Sequence, residues 1–437
     1  MTITAEHDSA NRSTALEPLI VMTADSHVQP TFDPQLRAYC PQRHAQDFDE
    51  WLERMAARFE AADKGFFALH AEDESVRAIH TWNLQTDGQH DIHSRLRDMD
   101  RDGVAAEVIF HGSAPFRPLP FLDQGIGTPI ADYQLAAVGQ RMYNAWLADF
   151  CSVEPERHVG LAHLPMWDVD AAVEELTWAR SVGLRGVNFP SPRADITPYE
   201  DRSWDRFWSA CEDLEMPLVS HGGGGHSTPP TTGPTAMVIY VAESGVFSRV
   251  SPLVRLCFGG VFERHPKLKL VQTEQIGAWY AHTLAELDSI WDKFGYTFPD
   301  DVSPRRPSEY CRDHYFVGAS FQSRVEAQAA IDQGYADNVM WGSDYPHPEG
   351  TYHYQADDSD EVRFTRLAMR NTFSGLPDEP VRRMLGENGI KVFGLDEGSL
   401  RGVADRIGAP SLAEIAEPVI DVPTHWGCAF RETDTFV

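Results

Sequence analysis

The sequence has few basic residues for its length, and this shortage argues against two classes of function. Only 37 of its 437 residues are Lys or Arg, against 66 that are Asp or Glu, so the formal net charge is −29. A chain of this charge repels the phosphates of nucleic acids and the head groups of anionic membranes. We therefore expect neither a nucleic acid nor a membrane among its partners.

Paired cysteines, leader features and long apolar runs are also missing. The six cysteines show no CxxC and no close pairing, which is typical of reduced thiols in the cytoplasm. Residues 1–18, which we interpret as an N-terminal extension, have neither the basic nor the apolar region of a signal peptide. No apolar run is long enough to span a bilayer. These features predict a cytoplasmic protein.

Short β-rich runs alternate with longer amphipathic stretches along the chain. The β-rich runs are LIVMTADSH, AAEVIFHG, HVGLAHLP, LRGVNFP, PLVSHG, LKLVQTE, HYFVGAS and NVMWGSD. Eight β-then-α units predict an α/β protein built as a closed parallel (β/α)8 TIM-type barrel. The main alternative is a doubly wound open sheet, which needs a phosphate-binding Gly loop after its first strand. The sequence ADSHVQP at that point offers no such loop.

Three regions depart from the regular repeat of the predicted barrel, which we assign to residues 19–396. Residues 31–105 form a long insertion after the first strand, residues 222–236 form a Gly/Pro/Thr-rich loop, and residues 397–437 form a C-terminal tail. Long insertions on the active face of a barrel usually build a substrate pocket or a lid. A tail of this kind caps the barrel or packs against another subunit, and we expect a homo-oligomer, most simply a dimer.

Acidic and imidazole side chains stand at most of the predicted strand ends, where the catalytic residues of a parallel barrel lie. The eight predicted ends fall near His27, His111, His163, Asn188, His221, Glu274, Ala319 and Asp344, and Asp25 precedes the first of them. Carboxylate and imidazole together are the ligands of zinc, manganese or ferrous iron. The sequence therefore predicts a divalent transition-metal site that holds one or two ions per subunit.

With these residues in place, the sequence resembles the amidohydrolase superfamily, in the branch that includes aminocarboxymuconate-semialdehyde decarboxylase. The matching stretches are ADSHVQP, RLRDMDRDGVAAEVIF, GVFERHPKLKLVQTEQIGAW, MWGSDYPHPEG and MLGENGIKVFGL, which extend from about residue 20 to residue 396. The resemblance implies metal ligation by Asp25, His27, His221 and Asp344. It also implies that Asp344 lies beside a metal-bound water and can take its proton.

The sequence departs from this family at two positions. The usual first motif is His-x-His or Glu-x-His, and here it is Asp25-x-His27. The decarboxylases of the branch carry a His at the end of the sixth strand, where this chain has Glu274. Glu274 could ligate the metal, bridge to a second ion or act as a base for water. His163 and His347 are candidates for additional ligands, with a structural hydrogen-bonding role equally open.

The run SHGGGGHS, residues 220–227, resembles the HGGG sequence that forms the oxyanion hole of many esterases. A serine esterase also needs a G-x-S-x-G nucleophile turn, and the chain has none. His221 as a metal ligand followed by a flexible loop is the favoured interpretation. His226, within that loop, is either a catalytic residue that reaches the pocket or an exposed histidine.

The predicted function is a metal-dependent hydrolase of a small organic acid derivative, namely an amide, ester, thioester or lactone. A metal ion lowers the pKa of its bound water toward ~7 and polarises a substrate carbonyl. Asp344 would accept the proton of that water, and Glu274 would hold the metal or a second ion. The alternative is a non-oxidative decarboxylase on the same barrel. A serine esterase and a catalytically idle binding barrel are less favoured.

Overall fold

Eight parallel strands form the centre of the computed structural model, which describes residues 16–69, 83–113, 117–122, 130–193, 195–222, 236–275, 277–299, 302–354, 363–422 and 428–435. Each strand is hydrogen-bonded to its neighbour in chain order. The strands are Met22–Val28 (β1), Ala106–His111 (β2), His158–Ala162 (β3), Gly186–Asn188 (β4), Leu218–His221 (β5), Leu270–Thr273 (β6), Tyr315–Ser320 (β7) and Val339–Gly342 (β8).

The sheet closes between β1 and the residues that directly follow β8. Ser26 forms a parallel bridge with Tyr345, and the amide of His27 donates to the carbonyl of Tyr345 at 2.6 Å. The amide of Asp344 donates to the carbonyl of Asp25 at 2.9 Å. The predicted (β/α)8 barrel is therefore confirmed, and every predicted strand end lies within two residues of the observed one.

Helices surround the strands, and several begin at an aspartate that accepts hydrogen bonds from the first free amides, as at Asp91, Asp132 and Asp168. In the described part of the chain, no helix is both long enough and apolar enough to cross a bilayer. The described helices are Ala45–Leu69 (α1), Ile92–Asp102 (α2), Tyr133–Cys151 (α3), Val169–Ser181 (α4), Asp205–Asp213 (α5), Ala236–Phe258 (α6), Val261–Arg264 (α7), Tyr280–Phe294 (α8), Pro307–His314 (α9), Arg324–Asp332 (α10), Phe364–Phe373 (α11), Asp378–Arg382 (α12), Asn388–Phe393 (α13), Glu397–Ile407 (α14) and Leu412–Ile415 (α15).

Alternation along the strands divides the apolar residues between two layers. In β2, Val108 and Phe110 belong to the cluster that fills the barrel, whereas Ile109 belongs to the cluster between strands and helices. The inner cluster continues into Leu400 and Val403 of α14. The first part of the C-terminal tail therefore covers the N-terminal end of the barrel, and the opposite end carries the polar residues.

Candidate metal centre and substrate cavity

A register shift in β1 turns its two polar residues toward the inside of the barrel. Ala24 packs in the inner cluster, and the pairing of β1 with β2 shifts between Thr23 and Ser26. Strict alternation after Ala24 would direct Asp25 and His27 toward the helices, and the irregularity reverses this. Both side chains are buried at the mouth of the barrel, with relative exposures of 0% and 3%.

Four side chains from β1, β5 and the end of β8 converge at this mouth. His27 Nε2 lies 3.2 Å from Asp25 Oδ1 and 3.3 Å from Asp344 Oδ1. His221 Nε2 lies 3.6 Å from the same oxygen of Asp25. Two atoms that each lie about 2.1 Å from one ion are roughly 3.0–3.4 Å apart at octahedral or tetrahedral angles. Both distances from His27 fall within this range, and the His221–Asp25 distance of 3.6 Å is slightly longer, so the spacing is close to that of ligands around a single divalent ion.

The same four side chains carry buried atoms that lack hydrogen-bond partners. These atoms are Asp25 Oδ1, His27 Nε2, His221 Nε2 and Asp344 Oδ2. Burying an unpaired carboxylate oxygen is costly, and a bound cation offsets that cost. These unpaired atoms, and the close approach of the four side chains, fit a divalent metal ion.

Backbone carbonyls orient the two imidazoles toward this position. His27 Nδ1 lies 3.3 Å from the carbonyl oxygen of His111, and His221 Nδ1 lies 2.9 Å from that of Gly222. A carbonyl can only accept, so each Nδ1 carries the hydrogen and each Nε2 presents a lone pair. This is the usual way in which a protein orients a metal-ligating histidine.

Further contacts hold the two carboxylates. Ser320 Oγ donates to Asp25 Oδ2, and His347 Nδ1 donates to Asp344 Oδ1 at 2.8 Å. His347 Nε2 lies 3.2 Å from the carbonyl oxygen of Gly112. His347 thus belongs to a cluster with His27 and Asp344 that could hold an ion, but both of its nitrogens already have acceptors. The contacts of His347 are those of a residue that positions Asp344.

Glu274 stands on the other side of His221 from Asp25. Its Oε2 lies 3.4 Å from His221 Nδ1, whereas Asp25 approaches Nε2. Glu274 also forms a cluster with Asp344 and Glu349, in which one oxygen from each lies within 4.8 Å of the others. The geometry thus offers Glu274 two roles, orientation of a ligand histidine or participation in a second cation site.

Glu274 and Asp344 both have left-handed backbone conformations, with φ of +55° and +56°. Such values are strained for residues other than glycine and cluster at functional sites. In strict alternation Glu274 would share the outward face of Leu268 and Leu270, which lie in the outer layer. The left-handed conformation instead turns its side chain toward His221.

Burial and neighbouring charges at the mouth shift the pKa values of Asp25, His221 and Glu274. Burial raises the pKa of Asp25, but His221 and His27 outweigh this, so the pKa lies below its usual range. Burial lowers the pKa of His221, and Glu274 and Asp25 raise it to about 10. Burial, reinforced by Asp344 and Asp25, raises the pKa of Glu274 to about 8 despite the opposing effect of His221. A bound divalent cation would supply the positive charge that protons on His221 and Glu274 otherwise supply. It would therefore favour ionised carboxylates and neutral imidazoles.

A cavity of about 350 Å³ opens beside His221 on the β2–β5 side of the barrel. Its lining includes Leu119, Leu164, Phe189 and Ile196, so most of its wall is apolar. An apolar cavity of ~150 Å³ holds a benzene molecule. The cavity therefore has room for one ring with several substituents, next to the candidate metal centre.

His163 and Asn188 supply polar groups to this cavity. Asn188 Nδ2 lies 2.8 Å from His163 Nε2 and donates to it, which leaves the hydrogen of the imidazole on Nδ1. The side-chain amide of Asn144 bonds both the amide and the carbonyl of His163. Burial lowers the pKa of His163 to about 4, so the ring is neutral at pH 7.

His163 and His226 are the remaining predicted site residues. His163 bonds to Asn188 and belongs to none of the ligand clusters found among the described residues. His226 lies outside the described residues. Glu349 was not considered from the sequence, although it lies in the same PHPEG motif as His347. Ser320 also escaped prediction, because a serine at a strand end carries no specific signal.

The chain was compared with protein families, curated proteins and solved structures. Residues 78–395 match the sequence model of the family described as amidohydrolase. A gamma-resorcylate decarboxylase from Rhizobium sp. (strain MTP-10005) is 26% identical over 273 residues, covering 58% of this chain and 76% of that protein. A 2-amino-3-carboxymuconate-6-semialdehyde decarboxylase from Dictyostelium discoideum is 24% identical over 314 residues, covering 69% and 76% respectively.

A solved structure shares the fold at low sequence identity. It is the 5-carboxyvanillate decarboxylase of Novosphingobium aromaticivorans, complexed with manganese and 4-hydroxy-3-methoxy-5-nitrobenzoic acid. The TM-score is 0.58 at 18% identity, over 87% of this chain and 99% of that one. At this identity the likeness establishes the barrel fold.

Proposed function

The chain belongs to the amidohydrolase family, and from this premise we propose that it is a metal-dependent decarboxylase of a small cyclic carboxylic acid. The observation that carries the proposal is the set of four buried, unpaired ligand atoms beside a cavity that fits one substituted ring. Relatives that cover more than half of the chain are decarboxylases. They favour the alternative function given by the sequence over the hydrolysis that we had preferred.

The preference for hydrolysis rested on Glu274, which stands where the decarboxylases of the branch carry a histidine. Its contact with His221 Nδ1 is accounted for by an orienting role, without ligation and without an attacking water. The carboxylate is therefore compatible with both reactions, and the relatives support decarboxylation.

We assign the metal ligands to Asp25, His27, His221 and Asp344, with one divalent ion as the simplest occupancy. Manganese, which is bound in the solved structure of similar fold, suits this mixture of oxygen and nitrogen ligands, as do zinc and ferrous iron. When bound, the ion supplies a positive charge that stabilises the negative charge that develops on the substrate as carbon dioxide leaves.

The apolar wall of the cavity favours loss of the carboxylate. A carboxylate surrounded by Leu119, Leu164 and Phe189 lacks the hydration that it has in water, whereas carbon dioxide is neutral and loses little. His163, which lines the same cavity, carries its ring hydrogen on Nδ1, because Asn188 donates to its other nitrogen. We assign this donor to an oxygen substituent of the substrate ring, which orients the ring relative to the metal centre.

Decarboxylation needs one proton for every carbon dioxide released. The C–C bond breaks with its electron pair left on the ring carbon, which then takes a proton. We assign the donor to Glu274, because Glu349 and Asp344 lie beside it and adjacent carboxylates cannot all be ionised at low cost. Solvent returns the proton to Glu274 before the next turnover.

The experiment is to incubate the metal-loaded protein with a panel of hydroxylated benzoic acids in D₂O. We expect carbon dioxide and a product that carries one deuterium at the former carboxyl carbon, with loss of activity on chelation and recovery with Mn²⁺ or Zn²⁺. A parallel panel of aryl esters, thioesters, amides and lactones tests the alternative. If one of these compounds is hydrolysed at a rate typical of an enzyme acting on its natural substrate, and no acid releases carbon dioxide, the protein is a hydrolase.

A further inference from the structure

Residues 428–435 of the C-terminal tail lie on the C-terminal face of the barrel, at the end opposite to α14. Cys428, Ala429, Phe430 and Arg431 are all buried. Phe430 packs in a small apolar cluster with Ala368 of α11, and its ring centroid lies 6.1 Å from that of Phe364. This segment, which we call the C-terminal strap, therefore contacts the helix that follows β8.

The Arg431 side chain attaches the strap to the loop after β7 and to the first turn of α10. Its Nη2 lies 2.7 Å from Glu326 Oε2 and 3.3 Å from the carbonyl oxygen of Phe321. Its Nη1 donates to the carbonyls of Thr433 and Thr435, at 3.1 and 2.9 Å. The Arg431 and Glu326 side chains are only 3% and 7% exposed, so the ion pair is shielded from water and salt.

Glu326 extends the connection to the loop after β6. Its Oε1 accepts the backbone N–H of Gly277, three residues beyond Glu274. The strap also reaches this loop directly, since a Cβ added to Gly277 would lie 3.1 Å from the carbonyl oxygen of Asp434. Gly277 has φ of +104°, a backbone conformation that glycine adopts readily and other residues rarely adopt. One buried carboxylate thus joins the strap to the segment that carries Glu274.

We propose that Arg431 is a positioning residue, which docks the strap as the β6–β8 wall of the active site and, through Glu326, fixes the loop that carries Glu274. The substrate cavity occupies the β2–β5 side, so strap and substrate lie on opposite sides of the metal centre. Consistent with this, burial raises the pKa of the Cys428 thiol to about 12, with smaller contributions from Glu349, Asp344 and Glu274 that Arg431 opposes. The inference holds for either reaction of the proposed active site.

Thiol reactivity tests whether Arg431 docks the strap. Five of the six cysteines are buried and Cys40 is partly exposed, so in a Cys40→Ser background native protein should react slowly with a thiol reagent. We expect Arg431→Met in that background to expose one thiol, with a rate of modification that rises on the order of 100-fold, the scale of a broken buried ion pair. Adding Cys428→Ser should abolish the extra reaction. Arg306→Met is the matched control, because its ion pair with Asp292 is exposed.

Hydrogen exchange tests the second half of the proposal, the connection to the loop of Glu274. We expect the amide of Gly277 and its neighbours to exchange faster in Arg431→Met, with Arg431→Lys restoring part of the protection, and with the peptides of β2–β4 unchanged. A Cys428 that stays protected, or a loop after β6 that exchanges as in the wild type, would overturn the proposal. Uniformly faster exchange throughout the barrel would also overturn it, as a sign of general destabilisation.

Kinetics add a readout once a substrate is known. Because the strap lies away from the cavity, Arg431→Met should lower kcat more than 10-fold and change KM less than about 3-fold. An equal or larger change in KM would place the strap against the substrate and contradict its assignment to the opposite wall. The thiol and exchange results do not depend on which reaction the enzyme catalyses, so they separate a failure of this inference from a failure of the proposed function.

Discussion

Arg95 should be among the residues whose loss most destabilises the fold, through its contacts with Glu107 behind the metal centre. Arg95 is completely buried, and its Nε and Nη2 lie 3.0 and 2.5 Å from Glu107 Oε2. Its Nη1 donates to the carbonyl of His27 at 2.7 Å, and its guanidinium stacks 4.1 Å from the Tyr345 ring centroid. Arg95→Met keeps an unbranched apolar stem but leaves the Glu107 carboxylate with His158 as its remaining ionisable partner.

The pKa of Glu107 gives the magnitude. Burial raises this pKa, but Arg95 and His158 lower it from 4.5 to about 2. A lowered folded-state pKa contributes stability that is present above pH ~4.5 and is lost as the pH falls toward 2; here it amounts to roughly 3 kcal/mol. Removing one partner of a buried ion pair costs about 3–5 kcal/mol. We therefore expect Arg95→Met to lower the free energy of unfolding by about 3 kcal/mol or more at pH 7.

Urea denaturation between pH 7 and pH 4 measures this effect. The destabilisation should shrink toward pH 4, because Glu107 can take a proton in the variant, and Arg95→Met with Glu107→Gln should recover part of the loss. Arg306→Met, which removes an exposed ion pair, should cost less than about 1 kcal/mol. A loss below 1 kcal/mol for Arg95→Met at pH 7, or strictly additive effects in the double variant, would refute the reasoning.

Three further predictions concern the site itself. His27→Ala and Asp344→Asn should abolish activity and bound metal, measured by elemental analysis, while cooperative unfolding persists; loss of the transition would mean that a structural residue had been taken for a ligand. Glu274→Gln should lower kcat by about 10²–10⁴-fold, as expected for a lost proton donor, with metal content retained; a drop of ~10-fold or more in metal affinity would instead make Glu274 a ligand. Asn188→Leu should lower kcat/KM by about 10-fold, because the ring hydrogen of His163 would no longer be held on Nδ1. An unchanged kcat/KM would remove His163 from substrate recognition.

Local sequence patterns were sufficient to predict the barrel and most of its polar mouth. Strand ends could be identified because each buried run stops at a polar residue, and parallel strands bring such ends to one face. The approach of Asp25, His27, His221 and Asp344 to one another follows from that topology. Their assignment as ligands, like the catalytic roles, stays a prediction.

The parts that the sequence did not reveal depend on contacts without a local signature. The register shift of β1 directs Asp25 inward, and no residue type in TADSH signals it. Asn188 donates to His163 from the neighbouring strand end, a contact that gives the hydrogen-bonding role, one of the two considered for this histidine, a specific partner. Arg431 and Glu326 are separated by 105 residues, and charged residues in exposed-looking segments give no hint of a buried pair.

Because the barrel closes between its first and last strands, the complete set of proposed metal ligands forms only late in folding. Thr23 Oγ1 accepts the amide hydrogen of Ser343, 320 residues away, so the first and last strands meet only when nearly the whole barrel exists. The proposed ligands come from both sides of this seam. On a ribosome, a chain that has made β1 to β7 still lacks Asp344, and an ion would find an incomplete set of donors. An ion held across the seam would link two distant parts of the chain, and its stabilising effect would be lost on unfolding. Metal retention would therefore report that the last strand has been inserted, and damage to either side of the seam would first be detected as metal loss.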